Sequence, residues 1–364
     1  MSEAWIALLG RCDKPTDAVE DYCKYLSTAL AHLSVGLQLE RVDWDVAGWP
    51  PALAALRRRA ASWRGKWVLV QYTALAWSSR GFPFRFPSLL RSLQRCGARI
   101  AVVYHDAEPY EGRRLIDRVR RAAQLRTMRK ALRIADAAIL TVRGEKLSWL
   151  GGAVPHNAVF IPVGANLPTD EASIELRAPE GAKTVAVFGV TGGSTGLREV
   201  QEIVAAVRFA AARVQPLRLV VLGRETEQFA KAFADALRDA NVTVEVLGAR
   251  SGEEVVRTLR DADVALFVRS ELSSRRSSAI AAIACGVPLV ARAGAETAAP
   301  MTEAGVAFYS RQDPDEPGTT LTRVLLEDAY RAELAAKNTR VHQEHLSWSA
   351  IARKYVVALT RINS

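Results

Sequence analysis

Ser273-Ser274-Arg275-Arg276-Ser277-Ser278 sets four hydroxyls and two guanidinium groups ahead of an apolar run that Gly286 and Pro288 close. The spacing predicts a helix over 277–284, with the serines and arginines in a loop and at the helix N-terminus. Free backbone N–H groups, the helix dipole, the hydroxyls and Arg275 and Arg276 would converge there on an anion, and a diphosphate is the natural occupant. The bland alternative is a serine N-cap beside two solvated arginines. A second segment, Gly189-Val190-Thr191-Gly192-Gly193-Ser194-Thr195-Gly196, follows a strand pattern and precedes a helical one. Such a loop lets backbone approach phosphate closely. It is neither a Walker A loop, since no Gly-Lys-Ser/Thr follows, nor a GxGxxG turn. Leu222-Gly223-Arg224 and Leu247-Gly248-Ala249 are further strand-end turns.

The first half offers different chemistry. His105 follows an apolar strand pattern, beside Asp106 and ahead of Glu108. A histidine there is placed either to stabilise a reacting centre or to cap the strand end by hydrogen bonds. Asp17 and Asp21, with Tyr22, are candidates to face a second substrate, although Asp17 suits the N-cap of a helix from Val19 equally well. Cys12, Cys23, Cys96 and Cys285 have no CxxC spacing, and no histidine stands at a zinc-site interval from them. The expectation is a reduced chain without a structural metal.

These groups must be held by a parallel sheet. Short apolar runs at 5–10, 67–72, 99–105, 137–142 and 159–163 alternate with helical patterns at 19–32, 51–62 and 87–96. A second series of runs covers 184–189, 218–223, 243–248, 264–268, 288–292 and 306–309. The alternation predicts α/β units, whose ligands bind beyond the carboxyl ends of the strands. Residues 165–183 carry two prolines, several acids and little periodicity, which is linker composition. The expected organisation is two Rossmann-like domains, 1–170 and 171–345, with a final helix at 346–364 crossing back to the first.

Charge divides the same way. The 364 residues carry 49 Lys and Arg against 39 Asp and Glu. Up to Asp170 the count is 25 basic to 15 acidic, and beyond it 24 to 24. The whole excess lies in the first half, which implies two domains with different partners. From Arg113 to Arg133 there are nine basic residues and one acid, Asp117. Leu115, Val119, Ala122, Leu125, Met128 and Leu132 add a roughly helical apolar spacing, the pattern of a basic amphipathic helix. Its expected partner is an anionic membrane surface, and the alternative is a core-packed stripe with solvated arginines. No motif supports nucleic-acid binding. No apolar run nears a membrane span, and no basic stretch leads into a signal-peptide core. A cytoplasmic protein, peripheral at the inner face of the plasma membrane, is the expectation.

The chain resembles GT-B glycosyltransferases, in particular the retaining family-4 group. In the second half the matching pieces are Phe188-Gly189 with Gly196-Leu197, Leu222-Gly223, Leu247-Gly248, Leu259-Arg260-Asp261-Ala262-Asp263-Val264 and Ala284-Cys285-Gly286-Val287-Pro288-Leu289-Val290-Ala291. In the first half they are Pro15-Thr16-Asp17-Ala18-Val19-Glu20-Asp21-Tyr22, Gln71-Tyr72, Arg80-Gly81-Phe82-Pro83, Tyr104-His105-Asp106 and Ile161-Pro162-Val163-Gly164-Ala165-Asn166. The resemblance implies two Rossmann-like domains facing each other across a cleft and a sugar transferred from a nucleotide-sugar. The acceptor would be a saccharide, lipid-linked, in bacterial surface polysaccharide or glycoconjugate synthesis. It also implies retention, no metal and no cofactor beyond the nucleotide-sugar co-substrate, with a nucleoside diphosphate as product. His105 and Asp106 would be catalytic. Gly189, Thr191, Gly192, Gly193, Arg224, Ser273, Ser274, Arg275, Arg276, Ser277 and Ser278 would bind the donor, and Asp17, Asp21 and Tyr22 would lie on the acceptor side.

The sequence departs from the family at two pairs of positions. The paired glutamates fall on Ser273 and Ala281, and the usual Arg and Lys fall on Val190 and Thr195. Arg275 and Arg276 offer a physical substitute, with permanent charge and bidentate reach. The missing glutamates also admit a catalytically silent scaffold partner of an active transferase. A sugar-nucleotide epimerase fits less well, because it needs cleft carboxylates that find no place here.

Overall fold

A computed structural model describes residues 3–13, 17–112, 114–169, 181–310, 313 and 315–361. Pro15 and Thr16 of the loop after the first strand, Arg113 of the basic segment, and residues 170–180 of the linker with the domain boundary set there lie outside these. Two compact units emerge, one of residues Met1–Val163 with Trp348–Ser364, the other Gly164–Ser347.

The first unit contains β1 (Glu3–Leu9), α1 (Ala18–Ala31), β2 (Val35–Arg41), α2 (Trp44–Ala47), α3 (Trp49–Ala60), β3 (Trp67–Tyr72), α4 (Phe86–Arg95), β4 (Arg99–Tyr104), α5 (Leu115–Ile134), β5 (Ala137–Leu140) and β6 (Ala158–Phe160). Its strands are parallel and ordered β2-β1-β3-β4-β5-β6. The second unit contains β7 (Lys183–Phe188), α6 (Gly193–Ala211), β8 (Leu217–Leu222), α7 (Ala230–Leu237), β9 (Val242–Gly248), α8 (Gly252–Arg260), β10 (Val264–Glu271), α9 (Ser277–Ala284), β11 (Leu289–Arg292), β12 (Val306–Tyr309), α10 (Glu316–Leu326) and α11 (Asp328–Val341). Its parallel strands run β12-β11-β10-β7-β8-β9. Both are doubly wound orders, and each reverses direction once, at β1/β3 and at β7/β10. Helices cover both faces, so the central strands are mostly apolar: every residue of β3 is buried, Gln71 included.

The apolar runs became strands close to the expected bounds. The runs missed β2. There Val35 and Leu37 face inward while Gly36 and Gln38 are exposed, the alternation of an edge strand covered on one side. The basic segment does form a helix, but its apolar stripe does not run its length. Leu115, Ile116 and Val119 are 78%, 50% and 58% exposed, whereas Asp117, Gln124 and Thr127 are buried. The cause is polar anchoring. Asp117 accepts from Arg114 N at 3.1 Å and from Arg120 at 2.7 Å, and Gln124 bonds Tyr110 N and Gly81 O. No helix among the described residues is long and apolar enough to cross a membrane.

The helix α12 (Trp348–Arg361) belongs to the first unit and packs on α1. Trp348 stacks on Tyr25 with ring centroids 5.6 Å apart and takes the edge of Tyr22 at 5.1 Å. The Tyr22 and Tyr355 hydroxyls meet at 2.8 Å in the buried seam. Removing either hydroxyl strands the other, so Tyr22→Phe and Tyr355→Phe should each cost about 1–3 kcal/mol. The double variant should cost no more than the worse single, a non-additivity that thermal melts of the four proteins would measure.

Candidate functional site

Both reversal points carry polar side chains. At β7/β10, the chain leaves Phe188 into Gly189, whose N–H donates to Leu222 O at 2.7 Å and whose φ is +87°. A Cβ on Gly189 would come within 3.1 Å of an Arg269 guanidinium nitrogen, so only glycine leaves room for that group. Thr191 is fastened to the buried Glu199 twice, through its N–H and its hydroxyl, both at 2.7 Å. Gly192 then opens α6 without a side-chain cap, which leaves first-turn N–H groups unsatisfied. The Glu225 carboxylate lies beside Gly192.

Across the reversal, β10 delivers Arg269 and then the Ser-Ser-Arg-Arg turn. Ser273 and Ser274 are 0% and 4% exposed, so they build the turn and do not present hydroxyls at the surface as expected. Ser277 and Ser278 are half-buried and open α9. The two arginines differ. Arg275 holds Glu296 in a two-pronged ion pair at 2.8 and 2.9 Å, and that partner keeps the Glu296 carboxyl below its usual range against the effect of burial. Arg276 has no such carboxylate on it, and its buried Nε finds no hydrogen-bond acceptor among the described residues. Burial, and behind it repulsion from Arg275 and Arg269, draws its guanidinium down to about 10 despite Glu296 and Glu271. A cation that strained gains most from an added anion. Arg224 is exposed in the turn after β8.

At β1/β3 a cavity of about 650 Å³ opens within the first unit. Gly10, Arg11 and Asp13 after β1, Thr73 to Ala76 after β3, and Asp106 and Glu108 after β4 line it. The first two loops are stitched together by Arg11 N donating to Ala76 O at 2.9 Å, and a Cβ on Gly10 would collide with that carbonyl. Asp17 lines the cavity and also caps α1, accepting from Val19 N and Glu20 N at 3.1 Å each and from Arg41 at 3.1 Å. Asp106 accepts from Ala74 N at 2.6 Å. Asp21 and Tyr22 are not among the residues that line this cavity. Asp21 lies at the surface, 3.8 Å from Lys24 Nζ, and Tyr22 is buried with its hydroxyl taken by Tyr355.

His105 is half-buried, edge-on to Tyr22 at 5.0 Å, with Nε2 2.8 Å from Gln71 Oε1. Burial pushes the imidazole down to about 4, against a smaller upward pull from Asp17. Sequence reasoning passed over Arg269, Glu296, Glu199 and Gln71 as site residues. Only Gln71 left a visible trace, as a polar side chain inside an otherwise apolar strand.

Several solved structures share this two-unit architecture. HepE of Anabaena, crystallised with UDP and glucose, matches 99% of this chain and 100% of its own at 13% identity and a TM-score of 0.66. Sucrose-phosphate synthase of Thermosynechococcus elongatus matches over 99% of both chains at 16% identity and a TM-score of 0.70. The fold is GT-B. WaaG, a glycosyltransferase involved in lipopolysaccharide biosynthesis, shares it at 12% identity and a TM-score of 0.64 over 98% of this chain and 99% of its own. No family model and no curated protein matches this GT-B chain by sequence.

The two positions on which the resemblance would place paired glutamates, Ser273 and Ala281, are both interior, each being 0% exposed. Among the described residues, the cluster with metal-ligand spacing is Cys12, Asp17 and Glu20. There the Arg41 guanidinium already bonds both carboxylates, at 3.1 and 2.5 Å. The depressed His105 fixes a pH dependence. Unfolding lets it regain a proton between its ordinary 6.5 and about 4, so its contribution is complete above that window and is lost as pH falls through it. Thermal melts should show a decline of no more than about 3 kcal/mol, flattened in His105→Gln.

Proposed function

We propose that this chain is a GT-B glycosyltransferase that takes a sugar from a nucleotide-sugar and gives it to a saccharide acceptor. The observation that carries the reading is Arg276. It is a desolvated guanidinium without a carboxylate of its own, at the strand reversal where the glycine-rich loop and the uncapped start of α6 also converge. A diphosphate supplies the missing charge and accepts the free N–H groups. Arg276 and Arg269 then stabilise the negative charge that grows on the leaving nucleoside diphosphate. Gly189, Gly192 and Gly193 offer backbone to it, and Arg275 acts with its charge already offset by Glu296. His105 and Asp106 serve the reacting sugar, and the cavity lined by Asp17 takes the acceptor. HepE, solved with UDP and glucose, makes uridine nucleotides the first probes. Retention of configuration, reaction without a metal, and a role in bacterial surface glycan synthesis follow from the family resemblance.

Calorimetry with UDP, GDP and ADP tests the donor side. One of them should bind, and Arg276→Ala should weaken it about 10- to 100-fold, since a charge-assisted bond is worth about 1.5–3 kcal/mol. No binding by any nucleotide would overturn the transferase reading. Binding without sugar transfer, from any nucleotide-sugar to a membrane extract, would instead favour a silent partner, which the apolar surroundings of Ala281 support.

We also propose a lipid-linked acceptor and docking at an anionic membrane, through the start of α5. Leu115, Ile116 and Val119 stand exposed there beside the exposed Arg114 and Arg118, an apolar edge with a basic rim. Phosphatidylglycerol vesicles should sediment the protein at low salt and release it as ionic strength rises. Val119→Glu should abolish sedimentation, and no binding at low salt would reduce the arginines to solubilising surface.

A further inference from the structure

Gln71 is the penultimate residue of the central strand β3, is 1% exposed, and belongs to the cavity wall. Its side chain is oriented by the protein itself. Nε2 donates to Leu69 O at 3.0 Å, a bond only the amide nitrogen can make. The other end of the amide, Oε1, is therefore an acceptor, and it is this oxygen that meets His105 Nε2 at 2.8 Å. An acceptor facing Nε2 requires Nε2 to carry the proton. In a neutral imidazole that leaves Nδ1 with its lone pair, and among the described residues Nδ1 takes no partner. Further bonds hold the pair still: Trp77 Nε1 donates to Gln71 O at 2.8 Å, and His105 N donates to Tyr72 O at 3.0 Å.

We propose that Gln71 is a positioning residue that fixes His105 as the Nε2–H tautomer, so that His105 meets its ligand as a hydrogen-bond acceptor through Nδ1. The ligand group this selects is a hydroxyl, which can donate to Nδ1; a carbonyl or phosphate oxygen cannot. Under the transferase reading, on which this last step rests, the hydroxyl is one of the bound saccharide. The neutral state needed for this has its own cause. The groups facing the ring are the Tyr22 phenol edge from α1, Gln71 from β3 and, at longer range, the Asp17 carboxylate, already committed to Arg41 and the α1 cap. Asp106, next in the chain, is turned to Ala74 N. Burial therefore outweighs the one carboxylate that would favour a cation. A glutamate in place of Gln71 would reverse this balance.

The test is spectroscopic and needs no substrate. Long-range nitrogen–proton NMR of the ring nitrogens at neutral pH, with His105→Gln assigning the signals among the five histidines, should show Nε2 protonated and Nδ1 bare. Gln71→Leu should replace this with a mixture of tautomers. Gln71→Glu should retain the Nε2 proton and raise the His105 titration midpoint by about 1 pH unit or more. A bare Nε2, a doubly protonated ring at neutral pH, or a tautomer unchanged in Gln71→Leu would overturn the proposal. The wild-type spectrum decides it even where Gln71→Leu does not fold. If nucleotides bind and sugar transfer occurs, kcat should fall at least tenfold in Gln71→Leu while the nucleotide dissociation constant stays within twofold. Because the tautomer is read without turnover, failure of the transferase reading leaves a separate and visible result.

Discussion

A parallel sheet covered by helices on both faces has nowhere to put a polar side chain except the ends of its strands. Strands such as β3, with every residue buried, show how strict that exclusion is in this chain. Polar groups collect where neighbouring connections run to opposite faces and leave a crevice. Each unit has one such place, and each is furnished differently: a cavity with committed carboxylates at β1/β3, and a glycine-rich loop opposed by arginines at β7/β10. The two halves repeat one architectural rule and obtain different chemistry from it.

Charge behaves differently at the two length scales. The second half has no net charge, yet it holds the cation with the greatest electrostatic need. What matters locally is pairing. Glu296 is bonded to Arg275, while Arg276 stands near two further arginines with no carboxylate bonded to it among the described residues. A buried guanidinium in that state is costly to the empty protein, and a bound anion would recover the cost. The first half carries the excess of ten charges, but much of it stands on exposed positions where solvent and salt weaken it.

The sequence made the apolar strands, the loop after β7 and the helix start at Ser277 readable, because each is encoded by neighbours within about ten residues. Other features escaped it, most of them because they depend on residues far apart. Glu296 meets Arg275 across α9 and β11. The burial of Gln124 on α5 is decided by the Gly81 and Tyr110 backbone, which the apolar spacing of the helix does not show. The edge strand β2 alternates, where the other strands are continuous. Tyr22 and His105 lie in separate segments, and only packing shows that one forms the wall of the other.

The first unit is written in two pieces, with the whole of the second unit between them. On a ribosome this imposes an order. Residues 164–347 can complete their sheet while the earlier sheet still lacks the helix that covers α1. Until Trp348 and Tyr355 emerge, the ring of Tyr25 and the hydroxyl of Tyr22 have no cover, and the aromatic seam behind His105 stays open to water. The cover behind the histidine, and with it the burial that keeps the ring neutral, is thus a property the nascent chain acquires only after the second unit has been made.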